Sequence, residues 1–121
     1  MPDHLIDTTK LEAALQEFAD ARDWQQFHPP KNLAMAPTGE VGALVELFQW
    51  LTEEQSRTVA SDPKTAQAVR DELADVLLYT VRLASLLKVD LNVAVSDKLK
   101  ANAAKYSVDK SHGSSKKYTD L

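Results

Sequence analysis

The chain has 121 residues, 44% hydrophobic and 26% charged, a globular rather than a disordered balance. Eighteen Asp and Glu against fourteen Lys and Arg give a net charge of −4, which excludes a broadly basic nucleic-acid footprint. The absence of cysteine excludes disulfides, thiolate metal sites and cysteine nucleophiles. Residues 1–10 are polar and carry no secretory apolar run. No apolar stretch approaches the roughly 20 residues that span a bilayer. The expectation is a cytoplasmic protein without nucleic-acid or membrane partners. The length is that of a single domain over 1–121 with a small core, which makes burial by oligomerisation expected.

Four helices account for most of the chain and predict an all-α, four-helix bundle. The first runs from about Thr9 to Asp23, with Leu11, Ala14, Leu15 and Phe18 at i, i+3, i+4, i+7. A connector, Trp24 to Pro30, ends in two prolines that stop a helix. The second helix covers roughly Asn32 to Leu51, with Leu33, Val41, Leu44, Val45, Phe48 and Leu51 on its apolar side. Pro37 predicts a break or kink near Ala36. Thr52 to Asp62 is polar and reads as a loop. Asp62-Pro63 has the chemistry of a helix start, with Asp as cap and Pro in the first turn. The third helix then extends to about Lys88. Asp90 caps a fourth, ending near Tyr106, and residues 107–121 read as an irregular tail.

Candidate functional residues concentrate on the second and third helices. Glu72 and Asp75 stand at i, i+3, with Cβ atoms about 5–6 Å apart. Apolar Leu73, Val76 and Leu77 place the pair near a core boundary, where a bare carboxylate is costly. A hard divalent cation offsets that cost, and an all-oxygen set suits Mg²⁺ or Mn²⁺. Taken alone, the pair is as readily a solvated helix face. Glu40 and Glu46 add acids, but six helical residues set them about 120° apart. Glu40 is the better third ligand, and Glu46 has a supporting role. Gly39 and Gly42 flank Glu40 at a cost of about 1 kcal/mol each in a helix, which points to close packing or ligand approach.

On the fourth helix, Lys98, Asn102 and Lys105 form a stripe of two cations and an amide. It is suited to phosphates and a base or sugar edge, and taken alone is more often a solvated face. Trp24, Trp50 and Tyr79 are rings able to stack on a base, or to fill a core or interface. His28 lies in the proline loop. His4 and His112 receive no role.

Together these residues resemble the all-α nucleoside triphosphate pyrophosphatases of the MazG-like superfamily, and within it the dCTP pyrophosphatase branch. The resemblance is carried by Arg22-Asp23-Trp24-Gln25-Gln26-Phe27-His28, Gly39-Glu40-Val41-Gly42, Glu46-Leu47-Phe48-Gln49-Trp50 and Glu72-Leu73-Ala74-Asp75-Val76-Leu77-Leu78-Tyr79. It continues through Val89-Asp90-Leu91, Lys98 with Asn102, Lys105-Tyr106 and Ser114-Ser115-Lys116-Lys117-Tyr118-Thr119. It implies Mg²⁺-dependent cleavage of a nucleoside triphosphate, dCTP first, to the monophosphate and pyrophosphate. It implies Glu40, Glu72 and Asp75 as catalytic metal ligands. Trp24, Trp50 and Tyr79 would form the base and sugar pocket, and His28 would approach the base. Lys98, Asn102, Lys105 and Tyr106 would contact the nucleotide, the two lysines nearest the phosphates. A homotetramer built from dimers, with shared sites, is also implied.

The family's Glu-x-x-Glu has its second Glu at position 43, where this chain has Ala43, and Pro37 replaces a usual aliphatic. A metal-bound water in place of the missing carboxylate and an impaired site are both compatible with Ala43. The alternative function is a non-catalytic nucleotide-binding or sensor protein of the same fold.

Overall fold

The computed structural model describes residues 5–121, and every regular element among them is helical. Residues 1–4, part of the stretch read as lacking a signal, lie outside the described residues. The helices are α1 (Thr9–Ala21), α2 (Pro30–Glu46), α3 (Glu53–Ser56), α4 (Ala66–Leu86), α5 (Leu91–Lys105) and α6 (Val108–Ser111). Short 3₁₀ turns cover Gln25–Phe27 and Tyr118–Asp120. Two compact units are present. One is Thr9–Val89; the other joins the described residues up to Thr8 with Asp90–Leu121. No described helix is long and apolar enough to cross a membrane.

In the first unit α4 is the central element, packed chiefly along α2 and also against α1. Ala19 of α1, Leu33 of α2 and Val69, Val81 and Ala84 of α4 are buried, joined by Val59 from the connection. Large apolar side chains are nonetheless left exposed. Val41 and Val45 on α2, and Leu73 and Leu77 on α4, are 43%, 54%, 54% and 55% accessible. The apolar sides of these two helices therefore extend beyond the core that the chain itself buries.

Helix ends set the direction of the site's loops. Asp23 (φ 52°) closes α1 in the left-handed region, with Trp24 N–H donating to Ala19 O (2.9 Å) and Asp23 N–H to Asp20 O (3.2 Å). This is a Schellman closure, and it turns Trp24 back over α1. Lys88 (φ 58°) closes α4 in the same way, through Val89 N–H to Ala84 O (2.9 Å) and Lys88 N–H to Ser85 O (3.2 Å).

Three local expectations are revised. Pro37 does not break α2, which runs uninterrupted from Pro30 to Glu46 and carries the proline in its interior. Packing along α4 holds the helix together across the missing hydrogen bond. Thr52 to Asp62 is not all loop. Thr52 Oγ1 accepts from Gln55 N–H (3.1 Å) while Gln55 Oε1 accepts from Thr52 N–H (3.0 Å), a reciprocal box that starts α3. Asp62 does not cap α4: its Oδ1 accepts from Lys64 N–H (2.9 Å) and its carbonyl from Thr65 and Ala66, forming a turn that delays the helix to Ala66.

In the second unit Asp90 caps α5 as expected, accepting from the N–H groups of Asn92 (3.0 Å) and Val93 (3.3 Å). Asn92 Oδ1 accepts from the N–H of buried Thr8 (3.0 Å). Residues 107–121 hold α6 and the final 3₁₀ turn, linked by irregular chain.

Candidate active site

One turn of α2 and one of α4 bring Glu40, Glu72 and Asp75 together. One carboxylate oxygen from each lies within 4.8 Å of the other two, and all three residues are half-buried. Glu72 is the most perturbed. Its carboxyl is held above the ordinary value of 4.5 by a hydrogen bond shared with Glu40, by partial desolvation, and by the charges of Glu40, Asp75 and Asp71. A hydrogen bond between two carboxyl groups requires a proton, so the cluster resists full ionisation. Glu72 Oε2 is shielded from solvent and has no hydrogen-bond partner among the described residues. Three converging carboxylates, one of them with a shielded and orphaned oxygen, are a donor set that fits a divalent cation. Ala43 is half-buried one turn beyond Glu40 on α2. Glu46 closes α2 and is exposed. A Cβ added at Gly39 or Gly42 meets nothing within 4 Å, so packing inside this chain does not explain either glycine.

Beside the acids is a cavity of about 280 Å³ lined by Trp24, His28, Asp75, Tyr79 and Arg82, with apolar walls from α1, α2 and α4. That is near the small end of the range for small-molecule sites. Asp75, Leu78, Tyr79 and Arg82 follow i, i+3, i+4, i+7, so one face of α4 carries both an acidic ligand and the pocket wall. The aromatic wall is built in steps. Arg22 lies 3.6 Å over the Phe18 ring, Phe18 meets Trp24 edge-on at 5.6 Å, and Trp24 meets His28 at 6.3 Å. His28 Nδ1 is buried without a partner among the described residues.

The structure therefore joins Trp24, His28 and Tyr79 in one cavity with Asp75. Trp50 is not in that lining, and the residue is 86% exposed after α2. Lys98, Asn102 and Lys105 lie on α5 in the second unit, and Tyr106 caps it. There Lys105 Nζ sits 5.0 Å from the Tyr118 ring centre, and Tyr106 meets Tyr118 edge-on at 6.0 Å. Arg82 was not singled out from sequence. The available signal was a lone arginine inside the apolar run Val76 to Leu87, three residues past Tyr79.

An all-helical fold with converging acids beside an aromatic cavity defines a class, and comparison with known proteins agrees: the MazG-like family profile matches residues 39–121. The chain belongs to the MazG-like family. Among its relatives, dCTP pyrophosphatase 1 of Bos taurus is 48% identical over 117 residues, 97% of this chain and 68% of that protein. The Homo sapiens protein of the same name is 45% identical over 97% of this chain and 67% of its own length. The crystal structure of a pyrophosphatase from Archaeoglobus fulgidus superposes with a TM-score of 0.76 at 34% identity, covering 88% of this chain and 98% of that one.

Proposed function

We propose that this chain is a divalent-metal-dependent nucleoside triphosphate pyrophosphatase that converts dCTP and water to dCMP and pyrophosphate. The observation that carries this reading is the convergence of Glu40, Glu72 and Asp75 beside the Trp24–His28–Tyr79 cavity. The relatives named dCTP pyrophosphatase 1 support the substrate.

Glu40, Glu72 and Asp75 would hold the ion, with Mg²⁺ preferred on the oxygen donor set. Bound there, the metal would neutralise phosphate charge and favour in-line displacement at the α-phosphorus. The residues do the remaining work. The aromatic cavity takes the base and excludes water from it, with Trp24 and Tyr79 available for stacking. A carboxylate of the cluster accepts the proton of the attacking water. The water oxygen bonds to the α-phosphorus, the bond to the bridging oxygen breaks, and pyrophosphate leaves. Lys98, Asn102, Lys105 and Tyr106 are assigned to the nucleotide from the family resemblance, the lysines to its phosphates. The exposed Val41, Val45, Leu73 and Leu77 support self-association, a homotetramer in this reading. Trp50, exposed and outside the cavity, is assigned to a site completed by a second copy.

The test is pyrophosphate release from each deoxynucleoside triphosphate in the presence of Mg²⁺. dCTP is expected to be the preferred substrate, and release stopped by chelation. No release from any nucleotide refutes hydrolysis. Ala43 favours a second reading, a nucleotide binder without turnover. Tight dCTP binding by calorimetry, with no release even from Ala43→Glu, selects it.

A further inference from the structure

Arg82 is 4% exposed and lines the cavity. Its guanidinium remains charged at any physiological pH. Nη1 donates to Gln16 Oε1 (2.8 Å). Nε and Nη2 are buried with no partner among the described residues. These two nitrogens form one edge of the guanidinium, with their N–H bonds side by side, so what is left open is a complete two-donor fork. A buried cation with an empty fork is costly unless a pair of adjacent acceptors meets it. Asp75 lines the same cavity, but neither Nε nor Nη2 bonds to it.

The surroundings narrow the ligand. The cavity walls are mainly aromatic and aliphatic, and its volume suits a planar ring rather than a whole nucleotide. Among pyrimidines only cytosine presents two adjacent acceptors, O2 and N3. Uracil and thymine carry a hydrogen on N3, which would face a donor of the fork. Guanine offers N7 and O6, but on a larger bicyclic ring.

We propose that the Nε–Nη2 edge of Arg82 reads the O2 and N3 acceptors of cytosine, making Arg82, held by Gln16, the residue that separates cytosine from uracil and thymine. This rests on the nucleotide reading above and adds the means of base choice.

Calorimetry with dCMP, dUMP, dGMP and the 3-deaza analogue of dCMP tests it, because in the analogue a C–H group replaces the N3 acceptor. The wild type is expected to bind dCMP about tenfold or more tighter than the other three. In Arg82→Met the dCMP, dUMP and 3-deaza affinities converge. Equal wild-type affinity for dCMP and its 3-deaza analogue overturns the proposal, as does a preference for dGMP or a cytosine preference that survives in Arg82→Met. The analogue comparison needs no variant, so it decides even if Arg82→Met does not fold. Pyrophosphate release from dCTP without N3 dependence would leave the reaction standing and remove this inference. N3 dependence without release would do the reverse.

Discussion

Replacing Glu72 by Gln should have opposite effects on stability with and without metal. In the metal-free protein the Glu72 carboxyl is held above 4.5 by its hydrogen bond with Glu40, desolvation and neighbouring acids. The folded state therefore binds more protons than the unfolded one between 4.5 and the raised value. This group's favourable contribution is fully present below the unfolded value and is lost as pH rises through the folded one. Above the raised value the ionised cluster is under repulsion, so there Glu72→Gln should melt higher than the wild type and lack that part of the pH dependence. With metal the order should invert. An ion at one hundred times its dissociation constant adds about 2.7 kcal/mol, or roughly 10 °C for a chain of this size. If removing one of three carboxylates weakens binding about a hundredfold, the same ion concentration adds only about 0.4 kcal/mol, or roughly 2 °C. Thermal melts of both proteins, with Mg²⁺ and with chelator, read this directly. Equal metal-induced shifts in the two proteins would refute the assignment of Glu72 as a ligand.

Other changes have defined outcomes. Ala43→Glu restores a fourth acid one turn from Glu40 and should raise kcat for dCTP in steady-state assays, while lowering metal-free stability by added repulsion. Trp24→Ala opens one wall of the cavity and should weaken dCMP binding by roughly 1–3 kcal/mol in calorimetry, the range for loss of base stacking. Lys88→Gly relieves a left-handed residue at the end of α4 and should stabilise the fold by about 1 kcal/mol in denaturant unfolding. Pro37→Leu restores a backbone donor inside α2 and should stabilise by up to about 3 kcal/mol in the same measurement.

Much of this architecture is readable from short-range rules. Asp90 caps α5 because its carboxylate reaches the amides of Asn92 and Val93, and the acids at 72 and 75 converge because a helix repeats every 3.6 residues. The signals that misled were those in which one residue had two competing uses. Asp62 and Pro63 have helix-start chemistry, but the Asp62 acceptors are consumed by a turn and the Thr65 hydroxyl by Val59 O (2.6 Å). Pro37 is unfavourable locally, yet α2 continues through it because the helix packs along α4. Thr52 and Gln55 did carry a capping-box spacing within a segment that composition marked as loop. Arg82 was hidden for another reason. A charge within an apolar run acquires meaning only once folding shows that Gln16, sixty-six residues earlier, takes one nitrogen and leaves two open.

The central claim, hydrolysis of dCTP at its α-phosphorus by this site, is tested most directly by turnover with Mg²⁺ in ¹⁸O-labelled water. Water attack at that atom predicts one labelled oxygen in dCMP and none in the pyrophosphate released. Label in pyrophosphate, or no product from either the wild type or Ala43→Glu, would contradict it.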